Sequence, residues 1–399
     1  DQTAAIAGEL GAKVYHFSWI DDFSAARNYA MGLAKGDWII FLDADEYFPM
    51  GNVRKIPLIL EKLHGSACNA IITGLIQVDK ETEVLKEEQE ENLEWLQTTR
   101  EDGSSKLSFA GTQIRIFRND PCLRYHGRIH EKLFMEKGEI VCADKSRELS
   151  VLHTGYSDEE MKEKKKVERN IALLKKELME HPDNYQMLTC LGDSYFQQKD
   201  YREAALWYEK AASCFSNTSA PETIQGAMIF KHLLLIYMEL SDEEAVMRSY
   251  TKGTACFPKD ADYDYLIGRN DALRGRFREG ADHLQKALIL LEQYGSDGRS
   301  VLLTHNLLEA WELLIRCHNE NGDLKQCVSC AVTVLKAAPY RPEPLKQLLL
   351  AFQKEGQASA AQIRAFLSNF YDFEKEEDRE FVKAAAEAGY QEGFLLGEM

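Results

Sequence analysis

Residues 36–46 have the sequence GDWIIFLDADE and indicate the fold of the first third of the chain. The apolar run over 38–42 directly follows a segment with helical spacing that ends at Gly36, which is typical of a strand in an α/β domain. A continuous apolar run of this kind predicts a strand buried on both faces of a parallel sheet. Asp43 and Asp45 follow this strand, at the edge where open α/β sheets bind ligands.

The neighbouring segments extend the α/β pattern. A short helix is predicted over 3–10, and Asp21 or Asp22 caps a second helix that precedes Gly36. Further strands are predicted over 13–17, 70–78, 112–118 and 149–153. The polar stretch at 79–105 contains ten acidic and three basic residues, which give it a net charge of −7. We interpret it as a solvated insertion, with a mobile lid as the alternative.

From residue 157 onward the pattern indicates helices only, with an internal repeat. Residues at intervals of 12 and then 7 recur in four places, and most of them are small: 192, 204 and 211; 234, 246 and 253; 268, 280 and 287; and 315, 327 and 334. Small residues at such positions let paired helices approach closely in repeats of about 34 residues. We therefore predict an α/β domain over 1–156, a connecting helix over 157–183, helical repeats over 184–355 and a helical cap over 356–399.

Composition excludes several classes of protein. Hydrophobic residues make up 45% of the 399 and charged residues 28%, so the chain is not largely disordered. The net charge of −17 argues against a general nucleic-acid binder, and the sequence has no apolar run of the roughly 20 residues that a transmembrane helix needs. Nine scattered cysteines favour reduced thiols in a cytoplasmic protein. Cys327 and Cys330 form a C-x-x-C pair without the second pair that a zinc site needs.

The strand ends carry residues suited to binding a metal. Asp43 and Asp45 can share a divalent cation beyond the apolar strand, and hard oxygen ligands suit Mg²⁺ or Mn²⁺. His153 ends another predicted strand and is the candidate for a third ligand. A metal-dependent hydrolase that uses these groups is an alternative, although no hydrolase spacing is present.

Several of these motifs together resemble a known family. The segments DDFSAARNYA at 21–30 and GDWIIFLDADE at 36–46 are similar to family 2 glycosyltransferases of GT-A fold. With G-x-I-H-E at 127–131 and H-x-G-Y at 153–156, they resemble the bacterial branch that carries C-terminal tetratricopeptide repeats. This branch includes the sublancin-type S-glycosyltransferases. The repeats at 192–334 are similar to the tetratricopeptide pattern.

The resemblance implies an enzyme that transfers a sugar from a nucleotide-sugar donor, expected to be a UDP-sugar, with Mn²⁺ or Mg²⁺ as the metal. By their match to the family motif, Asp43 and Asp45 bind the metal and the diphosphate, and His153 completes the metal site. Arg27 and Asn28 match a pair near the nucleotide pocket. The acceptor is expected to be a peptide, a protein or a glycan. The repeats are expected to bind it or to form a homodimer.

The family is generally inverting, so the resemblance also implies a carboxylate that takes the acceptor's proton. Glu131 is the preferred candidate, and Glu46 and Asp144 are the alternatives. Glu131 has a second possible role, which is to orient His130.

The start of this sequence differs from the family pattern. Family members begin with a strand and a segment resembling V-D-x-G-S-T-D, whereas this sequence starts at Asp1. We therefore expect the first strand of the sheet and part of the donor pocket to be absent from this sequence, and the fragment itself to be inactive. The alternative function is a non-catalytic tetratricopeptide scaffold with a degenerate transferase domain.

Overall fold

The computed structural model describes residues 2–78, 107–153, 160–215, 224–296, 299–356 and 358–387. The chain divides into two compact units, Asp1–Pro182 and Asp183–Met399. Within the described residues, the first unit combines helices with a mixed sheet and the second contains helices only, which confirms the predicted fold class. The polar insertion predicted at 79–105 lies outside the described residues. Within the described ranges, each helix is too short or too polar to span a lipid bilayer.

The first unit alternates helices and strands. Its helices are α1 (Thr3–Glu9), α2 (Phe23–Leu33), α3 (Met50–Lys62) and α4 (Glu160–Glu180). Its strands are β1 (Trp38–Ile40), β2 (Glu46–Tyr47), β3 (Ala70–Val78), β4 (Leu107–Arg118), β5 (Leu123–His126), β6 (Lys132–Met135), β7 (Cys142–Asp144) and β8 (Ser150–His153).

The main sheet has the strand order β1-β4-β3-β8-β2, with β7 also paired to β3. Strands β7 and β8 run parallel to β3, whereas β4 runs antiparallel to it. Strands β5 and β6 form a separate antiparallel pair. Because side chains alternate along a strand, the sheet contributes to two cores. Ile71 and Ile116 pack in the core that includes α3, while Ala70 and Phe117 pack with Met31 of α2.

Two strand predictions are wrong. Strand β1 ends at Ile40 and pairs antiparallel to β4 at one end of the strand order, and the Ile40 residue is 46% exposed. The apolar run therefore does not mark a parallel strand buried on both faces, because Phe41 and Leu42 pack after the strand has ended. Residues 13–17 form no strand, and Val14 and Tyr15 are exposed. Alternating residues without a neighbouring strand have no ladder to join.

The second unit is an array of helices. They are α5 (Tyr185–Gln197), α6 (Tyr201–Ser213), α7 (Ile224–Glu239), α8 (Glu243–Cys256), α9 (Asp262–Leu273), α10 (Phe277–Tyr294), α11 (Val301–His305), α12 (Leu307–Glu320), α13 (Leu324–Ala337), α14 (Pro342–Glu355), α15 (Ala360–Leu367) and α16 (Glu376–Glu387).

The predicted small residues lie where paired helices meet. A Cβ atom added to Gly192 would lie 2.9 Å from the ring of Tyr208, and one added to Gly268 would lie 2.8 Å from Leu284. Cys327 is fully buried, and its Sγ lies 3.7 Å from a backbone carbonyl oxygen. Its surroundings are therefore those of a packed core residue.

Candidate active site

Helix α2 carries Arg27 into the candidate site. The Asp22 side chain accepts a hydrogen bond from the backbone N–H of Ala25 at 3.0 Å, so Asp22 is the N-cap and the helix begins at Phe23. Just over one turn later, the Arg27 guanidinium lies 4.5 Å from the centre of the Phe41 ring and 5.3 Å from that of Tyr125. These two rings hold the guanidinium by cation–π contacts in a partly buried position.

Residues 43–46 form a tight turn that presents Asp45. The Glu46 backbone N–H donates to the Asp43 carbonyl oxygen at 3.0 Å. In the opposite direction, the Asp43 backbone N–H donates to Glu46 Oε2 at 3.1 Å. The ends of the turn are thus bonded to each other, and Asp45 between them is exposed. We call residues 43–46 the acidic turn.

Two arginines join three carboxylates around this turn. Arg27 Nη2 lies 3.0 Å from Asp43 Oδ1, and Arg27 Nε donates to Glu131 Oε1. Arg115 Nη2 lies 3.2 Å from Asp43 Oδ2 and also donates to Glu46 Oε1. We call these five residues the arginine network. Burial favours a lower pKa for Arg27, but the Asp43 and Glu131 carboxylates outweigh this effect and the pKa is raised.

Sheet pairing brings His153 to the acidic turn. Strand β2 pairs with β8 so that Glu46 lies opposite His153, and His153 Nε2 lies 3.3 Å from Asp45 Oδ2. Of the three predicted metal ligands, the structure therefore brings Asp45 and His153 together, whereas the Asp43 carboxylate contacts two arginines. Among the described residues, no group of three or more His, Cys, Asp and Glu side chains is arranged to hold a metal ion.

The loop between β5 and β6 positions Glu131. The backbone N–H of Phe23 donates to the Arg128 carbonyl oxygen at 2.9 Å, which ties this loop to the start of α2. Asn28 bonds the Tyr125 backbone in both directions, accepting from its N–H at 2.9 Å and donating to its carbonyl oxygen at 2.8 Å. The Asn28 amide thus joins α2 to β5, although the family resemblance associates Asn28 with the nucleotide.

The alternative carboxylates differ in their surroundings. The Glu46 side chain is 3% exposed and is paired with Arg115. Asp144 lies opposite Ile72 on β3, whereas His153 lies opposite Gln77. This separation of five residues corresponds to about 16 Å along the strand. Asp144 is thus remote from the acidic turn.

Sequence reasoning missed Arg115. It lies in β4 within the segment QIRIFR, where it is buried between apolar neighbours. A basic residue in an otherwise apolar strand is the available signal, because arginine is rarely buried unless it is paired with an acid. The sequence alone does not show which acid forms that pair.

Comparison with known proteins finds a family match for residues 1–123. Residues 1–123 match the family described as Glycosyl transferase family 2. The TPR repeat-containing protein Synpcc7942_0270 of Synechococcus elongatus is 29% identical over 256 residues, which cover 63% of this chain and 56% of that protein. The SPbeta prophage-derived glycosyltransferase SunS of Bacillus subtilis is 24% identical over 259 residues, or 64% of this chain and 53% of SunS.

The chain thus spans about half the length of the curated relatives it matches. Among solved structures, it is similar to YrrB, described as a TPR protein with an unusual peptide-binding site. That match has a TM-score of 0.39 and 14% identity, and it covers 56% of this chain and 96% of YrrB. Residues 1–123 thus match glycosyl transferase family 2, and the structure places an array of paired helices in the second unit.

Proposed function

We propose that the protein transfers a sugar from a nucleotide-sugar donor, a UDP-sugar, to an acceptor nucleophile. The observation that carries this proposal is the acidic turn, which presents Asp45 beside His153 within a family 2 domain. Arg27, next to the turn, supplies positive charge where a diphosphate would bind. Arg27 Nη1 and the Tyr125 hydroxyl are buried donors without a hydrogen-bond partner in the described part of the chain. An anionic phosphate suits such donors.

We propose Asp45 and His153 as the protein ligands of a divalent cation. Their Oδ2 and Nε2 atoms already lie 3.3 Å apart, and a carboxylate with an imidazole suits Mn²⁺. When bound, the cation would neutralise charge on the leaving diphosphate. We assign Asp43 a supporting role in the same site, because its carboxylate is held by Arg27 and Arg115.

Glu131 is the proposed general base of an inverting, single-displacement reaction. Its contact with Arg27 Nε fixes one carboxylate oxygen and leaves Oε2 as the atom to accept the acceptor's proton. Glu46 is less suited because its side chain is almost fully buried against Arg115. The distance of Asp144 from the acidic turn argues against it as the base.

The second unit is proposed to bind the acceptor or to form a homodimer. Repeat arrays present extended surfaces suited to polypeptides. A peptide or protein acceptor is therefore favoured over a glycan. All nine cysteines are free thiols, which agrees with the proposed cytoplasmic location.

The test, on the full-length protein, is donor turnover with Mn²⁺ across UDP- and GDP-sugars, together with nucleotide-dependent thermal stabilisation. Asp45→Ala should abolish the Mn²⁺-dependent stabilisation, whereas Asp144→Ala, the matched control on β7, should retain it. Glu131→Gln should lose turnover while it still binds donor. Absence of both turnover and stabilisation in the wild type would instead support a non-catalytic scaffold.

A further inference from the structure

We infer that Arg115 is a positioning residue that sets the geometry of the Asp45–His153 pair through the acidic turn. The inference rests on the proposed function, because it concerns the same cation site. The Arg115 guanidinium contacts Asp43 and Glu46, the first and last residues of the acidic turn, and the proposed ligand Asp45 lies between them. Its effect on the site is therefore indirect.

One nitrogen atom of Arg115 bridges the two ends of the turn. Nη2 lies 3.2 Å from Asp43 Oδ2 and donates to Glu46 Oε1, so the first and last residues of the turn share one cationic donor. Glu46 Oε2 in turn accepts the backbone N–H of Asp43 at 3.1 Å. The Glu46 carboxylate thus closes the turn with one oxygen and contacts Arg115 with the other.

The backbone of Arg115 also fixes the approach to the turn. Ile40 pairs with Ile116, and the Phe41 N–H then donates to the Arg115 carbonyl oxygen at 2.9 Å. Beyond the turn, Glu46 pairs with His153. Arg115 is therefore linked to the segment that enters the turn and, through Glu46, to the strand that carries His153.

The negative charge of the acidic turn explains why it needs the Arg115 guanidinium. Three carboxylates, those of Asp43, Asp45 and Glu46, lie within four consecutive residues and repel one another. The Arg115 and Glu46 side chains are 9% and 3% exposed, so their attraction is screened by water much less than a surface pair. Without Arg115, repulsion would open the turn and move Asp45 away from His153.

The experiment measures Mn²⁺ binding in the presence of UDP, using the electron paramagnetic resonance signal of free Mn²⁺. Arg115→Met should weaken Mn²⁺ binding by about tenfold or more, as is typical when a residue that orients a metal ligand is lost. Arg115→Lys should restore most of the affinity, because one ammonium can contact both carboxylates. Saturating Mn²⁺ should return the turnover of Arg115→Met most of the way to the wild-type value, because the reacting groups remain in place.

Arg118→Met is the matched control. Arg118 lies on the same strand, but its guanidinium contacts the Trp38 ring and the carbonyl oxygens of Leu63 and Cys68. Its replacement should leave Mn²⁺ affinity unchanged even where thermal stability falls. Equal weakening in both variants would overturn the inference, because loss of stability would then explain the effect.

A second variant separates loss of folding from loss of metal binding. If circular dichroism shows that Arg115→Met is unfolded, the double variant Arg115→Met/Glu46→Gln is used, because it removes the unpaired buried charge. This double variant should still bind Mn²⁺ weakly. Wild-type affinity in the folded single or double variant overturns the positioning role while the proposed function stands. Absence of Mn²⁺ binding in the wild type overturns the proposed metal site, and the inference with it.

Discussion

The second unit contains a buried ionic cluster whose removal has a predictable cost. Lys231 of α7 is fully buried, and its Nζ lies 2.6 Å from Asp262 Oδ2 and 2.8 Å from Asp260 Oδ2. The ammonium also donates to the Arg299 carbonyl oxygen at 2.6 Å. Asp262 accepts the backbone N–H of Leu303 at 2.8 Å, so the cluster connects α7, α9 and α11.

We predict that Lys231→Met destabilises the protein by about 3–5 kcal/mol, the range for removing one partner of a buried ion pair. Methionine fills a similar volume, so the loss comes from the charges and not from a cavity. Both carboxylates would remain buried without a cation, since the Asp260 and Asp262 side chains are almost completely inaccessible to water. One buried charge of this kind costs more than a typical mutation.

Lys286→Met is the matched control. Lys286 Nζ lies 2.9 Å from the buried Asp264 carboxylate, but the lysine side chain is 54% exposed. Asp264 also keeps the Tyr250 hydroxyl at 2.7 Å and His283 Nδ1 at 2.8 Å. The same substitution should therefore cost less than about 1 kcal/mol.

The assay is equilibrium unfolding in guanidinium chloride followed by far-ultraviolet circular dichroism. The slope against denaturant is compared between variants, because an equal slope shows that the same surface unfolds. A loss below about 1 kcal/mol in Lys231→Met, or an equal loss in Lys286→Met, would refute the reasoning that burial sets the cost.

Three further predictions concern single positions. Burial raises the pKa of the Asp260 carboxyl in the folded protein. Protonated Asp260 therefore stabilises the folded protein at low pH. This stabilisation is lost as the pH rises from the unfolded pKa of about 3.9 through the folded pKa. The melting temperature of Asp260→Asn relative to wild type should therefore rise with pH over this window; a constant difference would contradict the assignment. Gly192→Ala should destabilise by about 1–3 kcal/mol, because the new Cβ would lie 2.9 Å from the ring of Tyr208. Gly32→Ala, a helical control with nothing within 4 Å of the new Cβ, should be neutral or stabilising in the same unfolding assay. Asn28→Ala removes both hydrogen bonds to β5 and should lower the melting temperature, while UDP affinity measured by calorimetry on the folded variant stays near that of wild type; a selective loss of UDP affinity would restore the nucleotide role.

Local patterns predicted the elements that local chemistry determines. Asp22 is one of the two predicted caps of α2, and the strand predicted over 70–78 is Ala70–Val78. The repeat spacing predicted paired helices, and Gly192 and Gly268 lie where those helices approach closely. Each of these features depends on residues within about one repeat of one another.

Features that depend on the pairing of distant strands were harder to predict from the sequence. The apolar run over 38–42 does not reveal its partner, so an antiparallel strand at one end of the sheet order was mistaken for a parallel strand with two buried faces. Similarly, the pairing of Glu46 with His153 depends on the register of β2 against β8. The spacing of residues in the sequence does not determine the register between distant strands.

The contacts of the arginine network join residues that are far apart in the sequence. Arg27 and Glu131 are 104 residues apart, and Arg115 and Glu46 are 69 apart, so helical or turn spacing cannot connect them. Charge balance supplies a different constraint. A buried guanidinium requires an anion, and the acidic turn has more carboxylates than a metal motif needs. Two of its carboxylates, those of Asp43 and Glu46, contact Arg115, whereas Asp45 lies exposed beside His153. The acids that look equivalent in the sequence DADE are therefore divided by the arginines into a supporting pair and a ligand candidate.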